Sequence, residues 1–379
     1  MIYLDNASTT KPSENVKKAV IEALEEFGNP SSMHRLGMRA ENIIKTAKEN
    51  AARVIGVNPE NIYFTSGGTE SNNTAILGYC HANVKKGKHI ITTAVEHPSV
   101  LTPFKILEEE GFSVSRIDVN RDGIINIDEL REALREDTIL VSVMLVNNEI
   151  GSIMPVDKIK ALITRKSPNA VFHVDAVQGY GKVLCKPKAW GIDMLSASGH
   201  KIHAIKGCGI LYLAKNVNLK PLINGGGQQK NMRSGTENVI GISAFSKASE
   251  DILSYNSQKV AMLRDRLKNE ILKNIDDVII HEAPAENQAG HILNVSFLGV
   301  KAEILLHSLE MHDIYVSTGS ACSTNKPAPS HVLKAIGCNA KEISGAVRFS
   351  FSEELSENDI DKTIDALQRE VAQIRKYVR

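Results

Sequence analysis

Seven short apolar runs, each set between stretches of helical pattern, constrain this chain more than any other feature. They span residues 62–65, 89–94, 114–119, 139–146, 171–174, 194–197 and 210–213. A strand that is apolar along its length is buried on both faces, and the helices between such strands supply the cover. The helical pattern starts early. Val16, Ala19, Val20, Ala23, Leu24 and Phe27 recur at helical spacing and stop at Gly28-Asn29-Pro30. Ile43, Ile44, Ala47, Ala51, Val54 and Ile55 repeat it and close on Gly56. The expected class is α/β, with a mainly parallel seven-stranded sheet that gathers ligands at the carboxyl ends of its strands.

The texture changes near residue 250. Residues 263–275, 303–309 and 360–378 read as helices, and 278–281, 292–297 and 347–351 as strands. This is the pattern of a smaller α+β domain. The expected division is a large domain over 15–250 and a small domain made of 1–14 and 251–379. A length of 379 residues suits two domains.

Composition removes several function classes. With 42% apolar and 23% charged residues, the chain is globular in type rather than disordered. A formal net charge of +1 gives no reason to expect nucleic acid or a membrane surface as a partner. The longest apolar run, 139–146, is far short of a bilayer span. Met1-Ile2-Tyr3-Leu4-Asp5-Asn6 has neither the basic nor the apolar region of a secretory leader, so a cytoplasmic location is expected. The five cysteines are odd in number and form no C-x-x-C pair, which argues against a disulfide framework or a structural zinc site. Cys80, Cys185, Cys208 and Cys338 read as small buried hydrophobes. Asp118, Asn120, Asp122, Gly123, Ile125 and Glu129 match a calcium-loop pattern, but the segment entering it, 112–119, alternates as a strand does. An EF-hand needs an entering helix.

Polar clusters fall at the ends of the expected strands. Ser198-Gly199-His200-Lys201 follows the run 194–197. A lysine at the mouth of a sheet can form a Schiff base with an aldehyde cofactor, and Ser198 and His200 offer donors to a phosphate. Asp175 ends the run 171–174; a carboxylate there can hold a pyridinium nitrogen protonated. Thr65-Ser66-Gly67-Gly68-Thr69-Glu70-Ser71-Asn72-Asn73 opens a helix after a strand, which brings backbone amides and a positive helix end to an anion at Gly68 and Thr69. His97 of Glu96-His97-Pro98 can stack on a planar cofactor or move protons. Asn148 of Asn147-Asn148-Glu149 offers a hydrogen-bond partner.

Together with Tyr3-Leu4-Asp5-Asn6-Ala7, Gly28-Asn29-Pro30-Ser31-Ser32, Asp175-Ala176-Val177-Gln178, Arg233-Ser234-Gly235-Thr236, Gly319-Ser320-Ala321-Cys322 and Arg348-Phe349-Ser350, these motifs make a specific combination. The chain resembles the NifS/IscS-type cysteine desulfurases of the class-V aminotransferase family, pyridoxal 5'-phosphate (PLP) enzymes of fold type I with an aspartate-aminotransferase-like fold. The resemblance implies that Lys201 carries the cofactor, His97 stacks on its ring and joins the acid–base steps, and Asp175 pairs with the ring nitrogen. It implies Asn148 and Gln178 on the ring-hydroxyl side, and Gly68, Thr69, Ser198 and His200 around the phosphate. Thr236 would reach the phosphate in the other subunit of a homodimer, and Arg348 would hold the substrate carboxylate, with Asn148 beside the substrate. The chain departs from the family at Ile205 and Ser352, where proline and glycine are common; neither touches a catalytic atom.

Cys322 lies in a stretch, 317–326, of small and polar residues followed by Pro327 and Pro329. That composition reads as a mobile loop rather than a core segment. The resemblance implies that its thiol takes the sulfur of L-cysteine as a persulfide, releases L-alanine, and passes the sulfur to a protein acceptor, either an iron–sulfur scaffold or a tRNA-thiolation enzyme. A selenocysteine lyase, or another fold-type-I PLP enzyme, is the alternative, because cofactor residues are shared among them. A scaffold without catalysis is the other class, against which the intact Lys201, Asp175, His97 and Cys322 stand.

Overall fold

The apolar runs form one sheet. A computed structural model describes residues 1–318 and 329–377 of the chain. Strand β1 (Ile2–Tyr3) lies apart from that sheet. β2 (Ile62–Thr65), β3 (His89–Thr93), β4 (Ser113–Ile117), β5 (Thr138–Met144), β6 (Val171–Asp175), β7 (Met194–Ser198) and β8 (Gly209–Leu213) assemble in the order β2-β8-β7-β6-β5-β3-β4. β8 runs antiparallel to both neighbours, and the other pairings are parallel. Every residue of β3, β5, β7 and β8 is buried, as continuous apolar runs require. β4 is an edge strand and exposes Ser113 and Arg116, and it ends at Ile117, short of the run of residues 114–119.

Helix ends follow their caps. Ser13 accepts from the Val16 amide to open the helix Glu14–Glu25. Gly56 ends Arg35–Ile55 at φ 67°, a left-handed conformation that a side chain would resist. The helix Ser257–Asn274 begins six residues before the expected 263, because the Asn256 side chain caps the Lys259 amide. A polar cap, not apolar spacing, sets that start.

A second layer surrounds β9 (Val278–His281), β10 (Ile292–Phe297), β11 (Ile314–Tyr315), β12 (Ser317–Thr318) and β13 (Ala346–Ser350). Four of these form an antiparallel sheet in the order β12-β13-β10-β9, while β11 pairs with β1 in parallel. Leu293, Val295, Phe297, Val347 and Phe349 pack with residues of the helices Ser257–Asn274, Ala302–Glu310 and Glu357–Tyr377 in one apolar cluster, which also takes in Ile2 and Leu4. The first residues are therefore stitched into a core built mainly by the last third of the chain. The Ser350 amide donates to the Leu4 carbonyl at 2.7 Å.

The segment ahead of the calcium-like motif is strand β4, and the motif itself is a turn. The Asn120 side chain accepts from the Asp122 and Ile124 amides, and Glu129 accepts from the Asp118 amide. Among the described residues no helix is long and apolar enough to cross a membrane.

Candidate active site

The carboxyl ends of β5, β6 and β7 open into a cavity of about 310 Å³. It is lined by Gly68, Thr69, His97, Asn148, Asp175, Gln178, Ser198, His200, Lys201 and Arg348 together with Ala7, Ser8, Ser99, Met144, Val146 and Val177. Residues as far apart in sequence as Ala7 and Arg348 thus meet in one place. Thr236 does not line this cavity; it is exposed between β8 and the helix Val239–Asp251. Cys322 lies outside the described residues.

Lys201 sits in the short turn Gly199–Lys201 directly after β7. Its Nζ donates to the Ala7 carbonyl at 2.5 Å and the Ser8 carbonyl at 2.7 Å. Gln178 Nε2 donates to the same Ala7 carbonyl at 2.7 Å, while its Oε1 is buried with no partner. The N-terminal segment therefore bridges the lysine and the glutamine. His200 Nδ1 lies 3.2 Å from the Thr9 hydroxyl, and burial holds its imidazole down at about 4, helped by the nearby Lys201, Lys206 and Lys182. His200 is therefore a neutral donor or acceptor at physiological pH.

Asp175 is buried at the end of β6. Its carboxylate accepts from Asn72 Nδ2 at 2.8 Å and from the Val177 amide at 3.0 Å. No lysine or arginine among the described residues forms an ion pair with it, so this buried carboxylate faces the cavity ready for a cationic partner. A protonated ring nitrogen would be such a partner. Gly67 and Gly68 open the helical run after β2, with Gly67 at φ 152°. A Cβ on Gly68 would come 2.6 Å from Val177 Cγ2, so the turn is a cradle that only a glycine keeps open. With Ser198 alongside, the cradle suits an anionic group. The unpartnered Gln178 oxygen, the unpaired Asp175 carboxylate and the glycine cradle fit the ring and phosphate of PLP.

Arg348 on β13 closes the other side. One terminal nitrogen donates to the Asn148 carbonyl at 2.8 Å; the other donates to Asp5 Oδ1 at 2.9 Å and Ser8 Oγ at 2.6 Å. Its Nε is buried without a partner. The guanidinium is thus aimed by three residues while part of its donor set is left over for a carboxylate.

Two residues not singled out from sequence complete the site. Asn72 links Asp175 to Ser99, and the Ser99 hydroxyl lies 2.8 Å from His97 Nδ1. Asn72 sits one turn after Thr69 on the same helix, a spacing that marks it in retrospect. Burial pushes the His97 imidazole below its usual range; Asp175 opposes that shift, and Lys201 and His331 add to it. Behind the site, burial raises Glu149 against the bond from Ser330 Oγ, which donates to Glu149 Oε2 at 2.5 Å.

The chain matches the family model described as aminotransferase class-V over residues 2–363. A protein from Dictyoglomus turgidum named cysteine desulfurase IscS is 42% identical over 378 residues, covering 99% of this chain and 95% of that protein. One of the same name from Methanosarcina thermophila is 41% identical, covering 99% and 93%. A solved structure titled NifS-like protein superposes with a TM-score of 0.91 at 34% identity, covering 98% of this chain and 99% of that one. With the sheet order, the cavity and these likenesses agreeing over nearly its full length, the chain belongs to the class-V aminotransferase family.

Proposed function

We propose that this protein is a PLP-dependent cysteine desulfurase, which converts L-cysteine to L-alanine and carries the sulfur as a persulfide on Cys322. The observation that carries the reading is the convergence of Lys201, Asp175, His97 and Arg348 on one cavity. Relatives named cysteine desulfurase, alike over 99% of the chain, support it.

PLP, when bound, supplies an aldehyde that captures amines and a ring that stabilises carbanionic charge. Lys201 would hold the aldehyde. Asp175 would keep the ring nitrogen protonated, and Asn148 and Gln178 would serve the ring hydroxyl. Gly68, Thr69, Ser198 and His200 would hold the phosphate. Arg348 binds the substrate carboxylate and so orients the Cα–H bond. The Cys322 thiolate attacks the substrate sulfur. The Cβ–S bond breaks as the S–S bond forms, the carbon keeps the electron pair and takes a proton, and alanine leaves. No external oxidant or reductant is consumed.

The enzyme is a homodimer in this reading, with Thr236 of each copy completing the phosphate site of the other. It divides into a large domain over 15–250 and a small one of 1–14 and 251–379, and it works in the cytoplasm. The acceptor is a protein of iron–sulfur cluster assembly or of tRNA thiolation; capture by the persulfide-loaded enzyme separates the two.

The deciding experiment is alanine release from cysteine by the wild type and by Cys322→Ser. The expected result is turnover in the first and none in the second, with the cofactor absorbance kept in both. Full turnover by Cys322→Ser overturns the role of the thiol. Turnover of selenocysteine without turnover of cysteine overturns the substrate.

A further inference from the structure

The cavity holds two groups able to take a proton from the substrate, the Lys201 amine and the His97 imidazole, and cofactor binding does not by itself choose between them. The choice rests on which nitrogen of His97 carries its hydrogen.

His97 precedes the helix Pro98–Glu109 and caps it with its own ring. The Ser99 amide donates to His97 Nδ1 at 3.1 Å. A backbone N–H can only donate, so Nδ1 must be an acceptor and cannot itself hold a hydrogen without facing another. The Ser99 hydroxyl reaches the same nitrogen at 2.8 Å. That hydroxyl also receives a bond from Asn72 Nδ2 at 2.9 Å, which leaves its own hydrogen free to point at the ring. The second hydrogen of the Asn72 amide goes to Asp175 Oδ2 at 2.8 Å. Both hydrogens of that nitrogen are used, and the direction of every bond from the carboxylate to the ring is set. Asn72 and Ser99 are both buried, so water does not compete for these bonds.

We propose that Asn72 and Ser99 are positioning residues that hold neutral His97 with its hydrogen on Nε2 and tie the ring to the cofactor-facing carboxylate Asp175. The consequence for the reaction is a division of labour that rests on the desulfurase reading. In this tautomer Nε2 has a hydrogen and no lone pair, and Nδ1 is covered from the Ser99 side. His97 is then a hydrogen-bond donor and proton source at Nε2, and the proton leaving the substrate Cα goes to Lys201 Nζ. The charged and titratable groups around the ring are Asp175, Lys201 and His331; burial, Lys201 and His331 all lower the imidazole below its usual range, and Asp175 alone opposes them.

The test is ¹⁵N NMR of histidine-labelled, cofactor-loaded enzyme, with His97 assigned by its loss in His97→Gln. The expected His97 spectrum has a pyrrole-type Nε2 and a pyridine-type Nδ1 at neutral pH. A pyrrole-type Nδ1 overturns the proposal whatever the activity. Kinetics supply the second measurement. Ser99→Ala and Asn72→Ala each lower kcat about tenfold with KM within about twofold, since the ring loses its aim rather than its contact with substrate. The double variant is no worse than the weaker single one, because both remove the same link, and Ser99→Thr restores the rate. Effects that multiply in the double variant, or a Ser99→Thr enzyme as slow as Ser99→Ala, overturn the link. Absence of alanine release by the wild type would instead remove the desulfurase reading and leave the NMR result standing.

Discussion

Arg348 donates to the backbone carbonyl of Asn148 at 2.8 Å across 200 positions of sequence. The contact fastens β13 of the second sheet to the turn that follows β5 of the first. The guanidinium is thus held at the junction of the two layers by Asp5, Ser8 and Asn148.

Arg348→Lys keeps the charge and loses the fork. An ammonium presents its donors from one nitrogen and has no planar fork to span Asn148, Asp5 and a carboxylate. We expect KM for cysteine to rise by at least about tenfold, with a smaller change in kcat. Steady-state alanine release against cysteine concentration checks this. An unchanged KM would remove Arg348 from substrate binding.

Gly68→Ala places a methyl group 2.6 Å from Val177 Cγ2. Valine is stiff at χ1, so the cradle must shift. Overpacking of this kind costs about 1–3 kcal/mol, which is roughly five- to 150-fold in cofactor affinity. Fluorescence titration of the apo-enzyme with PLP measures it, and Val177→Ala on the same background should recover most of the loss.

Glu96 is wholly buried, and burial pushes its carboxyl up to about 8. Bonds from the Met144 amide and Thr93 hydroxyl oppose that shift, and Asp175 adds to it. The folded state therefore binds a proton that the unfolded chain releases above about 4.5. Stability falls as pH rises from there toward 8, by at most about 1.4 kcal/mol per pH unit from this group. Glu96→Gln cannot ionise and keeps an acceptor for Met144. Urea melts from pH 5 to 8.5 should show a shallower decline in the variant; parallel profiles would mean that Glu96 is ionised throughout.

Three thiols are shielded. Cys80, Cys185 and Cys208 are buried, and burial raises all three, Cys185 and Cys208 to about 12. Cys338 is only partly buried, 3.5 Å from His281 Nδ1, yet burial and Glu342 raise it to about 12 as well. Alkylation needs thiolate. Brief iodoacetamide treatment of the folded protein at pH 7.5 should modify Cys322 first, with mass spectrometry locating the label. Equal labelling of Cys338 would show a thiol more acidic than its surroundings dictate.

Much of the architecture is written locally. The run 139–146 is apolar along most of its length, and a covered strand, β5, satisfies it. Helix starts were less legible where a polar cap decided them, as at Asn256. Site residues were visible where they end strands, as Asp175 and Lys201 do. Asn72 and Ser99 were not, because a buried asparagine and serine carry no signature until their partners are known.

The sequence alone determined the alternation of covered strands and helices, and with it a sheet whose carboxyl ends carry Asp175 and Lys201, because apolar periodicity and strand length act within a few residues. Only the tertiary structure decided that Ala7 would meet both Lys201 and Gln178, that Arg348 would be aimed from Asn148, and that Asn72 would link Asp175 to Ser99. Those outcomes depend on directional bonds between groups tens to hundreds of residues apart, and no local pattern encodes the angle at which two such groups arrive.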